Sequence, residues 1–133
     1  MSDVPSILIV DDEPVARSRL RELLADLAPD FPHRIVGEAP NAPEALSQIE
    51  VAQPQIVLLD IGMPRMNGYD AARGIRALKR PDASTVRIVA MTADAFSEDI
   101  QRAREAGMDG HVAKPVDARS LFATLSGREP DAS

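Results

Sequence analysis

The chain has 133 residues, 44% hydrophobic and 27% charged, with a formal net charge of −6 at pH 7 and no cysteine. That length suits one domain burying about two-thirds of its unfolded surface, and the missing cysteine excludes disulfides and thiolate metal sites. The acidity disfavours nonspecific binding to nucleic acid, and without a basic-then-apolar leader or a long apolar run a cytoplasmic setting is expected.

Residues 1–5 form a short N-terminal extension. The first apolar run, Ile7-Leu8-Ile9-Val10, ends in the acidic pair Asp11-Asp12. A helix follows, with Pro14 in its first turn, where the missing N–H is harmless. Ala16, Leu20, Leu23, Leu24 and Leu27 recur at helical spacing, and Pro29 and Pro32 close the segment. A second strand is predicted from roughly His33 to Gly37. Asn41-Ala42-Pro43-Glu44 then resembles a capping box, opening a helix that buries Ala42, Ala45, Leu46 and Ile49.

The third run, Ile56 to Leu59, ends at Asp60 and leads into a turn-rich loop, Ile61 to Gly68. Helix three is predicted over Tyr69 to Lys79, with Ala72, Ile75 and Leu78 inward, Gly74 weakening it and Pro81 ending it. The fourth run, Val86 to Met91, stops at Thr92. Helix four is predicted from Ser97 to Ala106, with Gly107 at its C-cap. A short fifth run, His111-Val112-Ala113, stops at Lys114, and the last helix turns Ala118, Leu121, Phe122 and Leu125 inward. Residues 127–133 read as a polar tail or the start of a linker. Continuous rather than alternating apolar runs suit strands covered on both faces. Their alternation with helices predicts an α/β fold, one doubly wound five-stranded parallel sheet flanked by five helices.

Four of these runs hand over to a polar side chain at the same end, and in a parallel sheet those carboxyl ends form the ligand crevice. Alone, each aspartate would be an ordinary turn residue, Thr92 a strand-end threonine and Lys114 a solvated lysine. Together they predict a site. Asp11, Asp12 and Asp60 repel one another unless a cation neutralises them, and Mg2+ takes such hard oxygen ligands. The Gly62 carbonyl offers a further oxygen. Lys114 and the Thr92 hydroxyl suit a phosphoryl group, and Asp60 is placed to attack phosphorus and form an aspartyl phosphate.

The segments Ile7-Leu8-Ile9-Val10-Asp11-Asp12-Glu13-Pro14, Val57-Leu58-Leu59-Asp60-Ile61-Gly62-Met63-Pro64, Met66-Asn67-Gly68, Ala90-Met91-Thr92-Ala93 and Ala113-Lys114-Pro115 resemble the receiver domain of two-component response regulators, over about residues 6 to 126. The resemblance, not the spacing, implies a flavodoxin-like strand order 2-1-3-4-5. It implies that Asp60 accepts a phosphoryl group from phosphohistidine on a histidine kinase or histidine phosphotransfer protein. Asp12, Asp60 and the Gly62 carbonyl would bind Mg2+ (or Mn2+) directly, with Asp11 acting through water. Lys114 would contact the phosphoryl group, and the bond to Pro115 would be cis. Thr92 and the residue at 111 would switch, altering the surface of helix four, strand five and helix five for a downstream protein target. The family is regulatory rather than enzymatic, catalysing only its own phosphotransfer and dephosphorylation. A monomer or weak homodimer is implied, with no direct nucleic-acid or membrane partner.

His111 departs from the family, which usually carries Tyr or Phe there; histidine is smaller and ionises near neutral pH. Gly62 and Asp94, two residues after Asp60 and Thr92, are implied to tune the phosphoryl lifetime. Parts of the chain resemble receivers of hybrid histidine kinases, whereas the Asp-Glu-Pro opening is common in receivers joined to DNA-binding domains. A phosphatase of the haloacid dehalogenase type would need an aspartate where Gly62 stands. A flavodoxin or dinucleotide binder would need a Gly-, Ser- or Thr-rich loop where Asp11-Asp12-Glu13 stands. An unphosphorylated scaffold would lack one or more of the acidic pair, acceptor and lysine, all of which are present.

Overall fold

Each of the five apolar runs is a strand, and the pleat divides their side chains between two layers of helix. The structure, a computed structural model, describes residues 4–60, 68–77, 86–92, 97–114 and 116–126, with the backbone alone at 68–70 and 97–100. Strands β1 (Ser6–Val10), β2 (Arg34–Ala39), β3 (Ile56–Asp60), β4 (Arg87–Thr92) and β5 (Gly110–Ala113) form one parallel sheet. Its order is β2-β1-β3-β4-β5, as the resemblance implies. The helices are α1 (Pro14–Leu27), α2 (Ala42–Ala52), α3 (Gly68–Arg76), α4 (Ser97–Glu105) and α5 (Ala118–Leu125).

Alternate strand residues face opposite sides. Leu8, Val10, Val57, Leu59, Ile88 and Ala90 therefore pack in one cluster with α2, α3 and α4. Ile7, Ile9, Ile56, Leu58, Val89 and Met91 pack in the other with α1 and α5. All twelve are buried, so the central strands have no polar face to spare. Among the described residues no helix is long and apolar enough to cross a membrane.

The ends of elements differ from expectation where tertiary pairing decides them. β2 runs to Ala39 because Glu38 and Ala39 pair with Ile9 and Val10. The register slips beside Ile7 and Leu8, so Ile35 and Gly37 are partners and Val36 is left between them. β4 includes Thr92, which pairs with Ala113. The described part of α3 ends at Arg76; Leu78 and Lys79 lie outside the described residues. α4 stops at Glu105, and Gly107 turns the chain with φ of +98°. A Cβ there would lie 3.0 Å from Arg76 Cγ, so this position needs glycine for both conformation and space.

The caps locate the helix starts. Asn41 Oδ1 accepts from the Glu44 amide at 2.9 Å, as its spacing predicts. Asp117 does the same for α5, accepting from the Ser120 amide at 2.7 Å. The Ser120 hydrogen bond holds the Asp117 carboxyl below its ordinary value.

Candidate functional site

Strand register brings the polar strand ends together. Val10 lies beside Leu59, Asp60 beside Met91, and Thr92 beside Ala113. The ladder continues one step past two strands: the Asp11 amide donates to the Ala39 carbonyl at 3.0 Å, and the Lys114 amide to the Thr92 carbonyl at 2.7 Å. Asp11, Asp60, Thr92 and Lys114 thus emerge at one edge of the sheet although they come from four strands.

Asp11 is fully buried. Its Oδ1 accepts from the Glu13 amide at 3.0 Å, and its Oδ2 accepts from the Lys114 ammonium at 2.9 Å. The same ammonium lies 3.5 Å from Asp60 Oδ2. Burial works to lower the Lys114 pKa. The hydrogen bond to Asp11 and the charges of Asp60 and Asp11 outweigh it, so the net direction is upward.

One carboxylate oxygen from each of Asp11, Asp12 and Asp60 falls within 4.8 Å of the others. Opposed oxygens on an octahedral Mg2+ are about 4.2 Å apart. An all-oxygen donor set at this spacing suits the ion. Among the described residues the buried Thr92 hydroxyl has no hydrogen-bond partner, an arrangement costing about 1–3 kcal/mol. His111, half-buried on β5, pairs with Ala90 and so shares the sheet face of Ala90 and Thr92, one pleat from Thr92. Gly62, Asp94 and Pro115 lie outside the described residues.

Two contributors were not anticipated from the sequence. Arg17 Nη1 donates to the Asp11 carbonyl at 2.7 Å, and its Nε donates to Glu38 Oε1 at 3.2 Å. The signal was present: Glu38 is an acid within the otherwise apolar stretch Ile35-Val36-Gly37-Glu38-Ala39, which asks for a cationic partner.

A doubly wound sheet in this order, with an acidic pair, a strand-end aspartate, a threonine and a lysine at its carboxyl edge, defines a receiver-type protein. The response regulator receiver domain family matches residues 7–126, and the chain belongs to that family. An uncharacterised 14.6 kDa protein of Leptolyngbya boryana is 40% identical over 116 residues, which are 87% of this chain and 83% of that protein. The nitrate/nitrite response regulator NarL of Escherichia coli K12 is 32% identical over 90% of this chain; the match spans 52% of NarL, about half its length. Among solved structures, the receiver domain of sensor histidine kinase PA1611 from Pseudomonas aeruginosa PAO1 superposes with a TM-score of 0.78 at 29% identity. The match covers 93% of this chain and 96% of that one, and the PA1611 structure has a magnesium ion coordinated in its active-site cleft. Receiver domains of this family belong to two-component signalling.

Proposed function

We propose that this receiver domain is a phosphorylation-operated switch of a two-component or phosphorelay system, with Asp60 as phosphoacceptor. The observation that carries this reading is the Lys114 ammonium 3.5 Å from Asp60, inside a cluster of three carboxylates. In the proposed step an Asp60 oxygen attacks the phosphorus of a phosphohistidine on a histidine kinase or phosphotransfer protein. The O–P bond forms as the P–N bond breaks, and the imidazole nitrogen leaves with the electron pair and takes up a proton. Charge developing on the phosphoryl oxygens meets the Lys114 ammonium, and the partnerless Thr92 hydroxyl donates to the same oxygens.

We assign Asp12, Asp60 and the Gly62 carbonyl to direct contact with Mg2+ (or Mn2+). Asp11, whose two oxygens already accept from Glu13 and Lys114, acts through water. When bound, the dication offsets the charge of the carboxylates and of the transferring group. Gly62 and Asp94 are assigned to the lifetime of the aspartyl phosphate. The added group carries about −1.5 to −2 charges, as phosphorylated side chains do. Drawing the Thr92 hydroxyl toward it vacates space on the face shared with His111. We infer that this repacks the surface of α4, β5 and α5 for a protein target.

The test is covalent labelling by acetyl phosphate. Wild type with Mg2+ is expected to acquire phosphate on the chain, whereas Asp60→Asn and EDTA-treated protein are not. Undiminished labelling of Asp60→Asn, or steady turnover of an external phosphoester such as p-nitrophenyl phosphate, would sink the reading.

A further inference from the structure

We propose that Arg17 is a positioning residue for the divalent cation, acting through the backbone of the acidic pair; the inference rests on the function proposed above. Arg17 lies in the first turns of α1, and its side chain is mostly buried. Its guanidinium reaches back across the β1–α1 turn. Nη1 donates to the Asp11 carbonyl at 2.7 Å, while Nε is held by Glu38 Oε1 at 3.2 Å. The other oxygen of Glu38 faces Arg21 Nε at 3.2 Å. A helix and an edge strand thus grip one peptide bond.

That peptide bond matters because it is planar. The Asp11 carbonyl, the Asp12 nitrogen and the Asp12 Cα lie in one rigid unit, so holding the carbonyl fixes where the Asp12 Cα sits and leaves only rotation about the bonds of Asp12 to aim its side chain. Glu13 and Lys114 hold the Asp11 carboxylate but not this plane. Among the described residues the Asp12 carboxylate has no hydrogen-bond partner of its own, so its aim depends on the backbone. An arginine suits the task, since its planar fork binds carbonyl and carboxylate together, which a lysine's point charge does not. A bare cation this close would also oppose a dication. Glu38, shared with the more exposed Arg21, offsets part of that charge, so Arg17 orients Asp12 with less repulsion of the metal.

Calorimetric titration of Mg2+ into wild type, Arg17→Ala, Arg17→Lys and Glu38→Gln tests the assignment, with thermal unfolding in EDTA run alongside. Loss of such an outer partner typically weakens metal affinity about 10–100-fold; Arg17→Ala is expected at the lower end, with Arg17→Lys recovering part. Glu38→Gln keeps an acceptor but unmasks the guanidinium charge. Its loss of affinity should therefore shrink as KCl is added, while that of Arg17→Ala should not. A mere helix–strand staple predicts lower melting temperatures with Mg2+ affinity unchanged, and that result overturns the inference alone. Failure of wild type to bind Mg2+ overturns it together with the proposed function. Should Arg17→Ala not fold, Arg17→Met, which keeps the apolar stem, carries the same comparison.

Discussion

The two ends of the sheet follow opposite rules although the same strands build both. At the amino end polar groups are paired. The Ser6 amide donates to Gln55 Oε1, and the Gln55 amide returns to Ser6 Oγ. Arg87 donates to the Thr124 and Leu125 carbonyls, where the end of α5 leaves carbonyls without helical partners and favours a cation. Arg76 reaches from α3 to the Gly107 and Val86 carbonyls and to Asp109. Asp109 accepts from the Ile88 amide as well. At the carboxyl end, among the described residues, three carboxylates cluster, two of them beside the Lys114 ammonium, and the buried Thr92 hydroxyl has no partner. One end is built for cohesion; the other leaves negative charge and a hydroxyl uncompensated, as the proposed function requires.

The contrast can be broken most forcefully at Arg76. Arg76→Ala removes the donor to two carbonyls, and should cost about 2–4 kcal/mol in urea unfolding. A loss below 1 kcal/mol would mean that the amino end is not held as described.

At the opposite edge the sign should reverse. Thr92→Val keeps the shape and removes the orphan hydroxyl, and should stabilise the metal-free protein by about 1 kcal/mol. On the proposed function, the same change should also diminish the spectral response of β5 to acetyl phosphate. Destabilisation by Thr92→Val would show that its hydroxyl already contributes to the fold.

Asp12→Asn should give a smaller gain in the absence of metal, about 0.5–1 kcal/mol, by relieving carboxylate repulsion. It should also abolish most of the thermal stabilisation that Mg2+ confers on wild type. An equal Mg2+-induced rise in both proteins would remove Asp12 from the metal site.

The smallest effect is the pH dependence from Lys114. Its pKa is raised above the ordinary 10.5. Its pairs therefore stabilise fully below 10.5, and the contribution fades as pH climbs through the higher folded value. Stability curves of wild type and Lys114→Met should converge over that alkaline window. Parallel curves would place the ammonium away from Asp11 and Asp60.

Much of the site was legible because its chemistry is local. Val10 hands over to Asp11-Asp12, Leu59 to Asp60 and Ala113 to Lys114 in the local sequence, and the apolar runs themselves declare where each of those strands lies. Of what was missed, one residue is local and one crosses between elements. Asp117 is an ordinary Asx cap, three residues before Ser120, and its spacing could have exposed it. Glu38 asked for a cation, but nothing local marked Arg17 as that cation, since its partners lie just past β1 and on β2.

The amino-acid order alone therefore determined the alternation of strand and helix, the polar residue ending each strand, and the acidic pair that disfavours a phosphate loop. Those properties depend on near neighbours, through burial periodicity and charge. The tertiary structure decided the register slip that carries β2 on to Ala39, and the meeting of Lys114 with Asp11 across 103 residues. Among the described residues it also left the Thr92 hydroxyl without a partner and set Arg17 behind the acidic pair. Each of those outcomes depends on which strands lie side by side and in what register. That is a property of the packed sheet, in which distant groups satisfy or deny one another, and no single segment contains it.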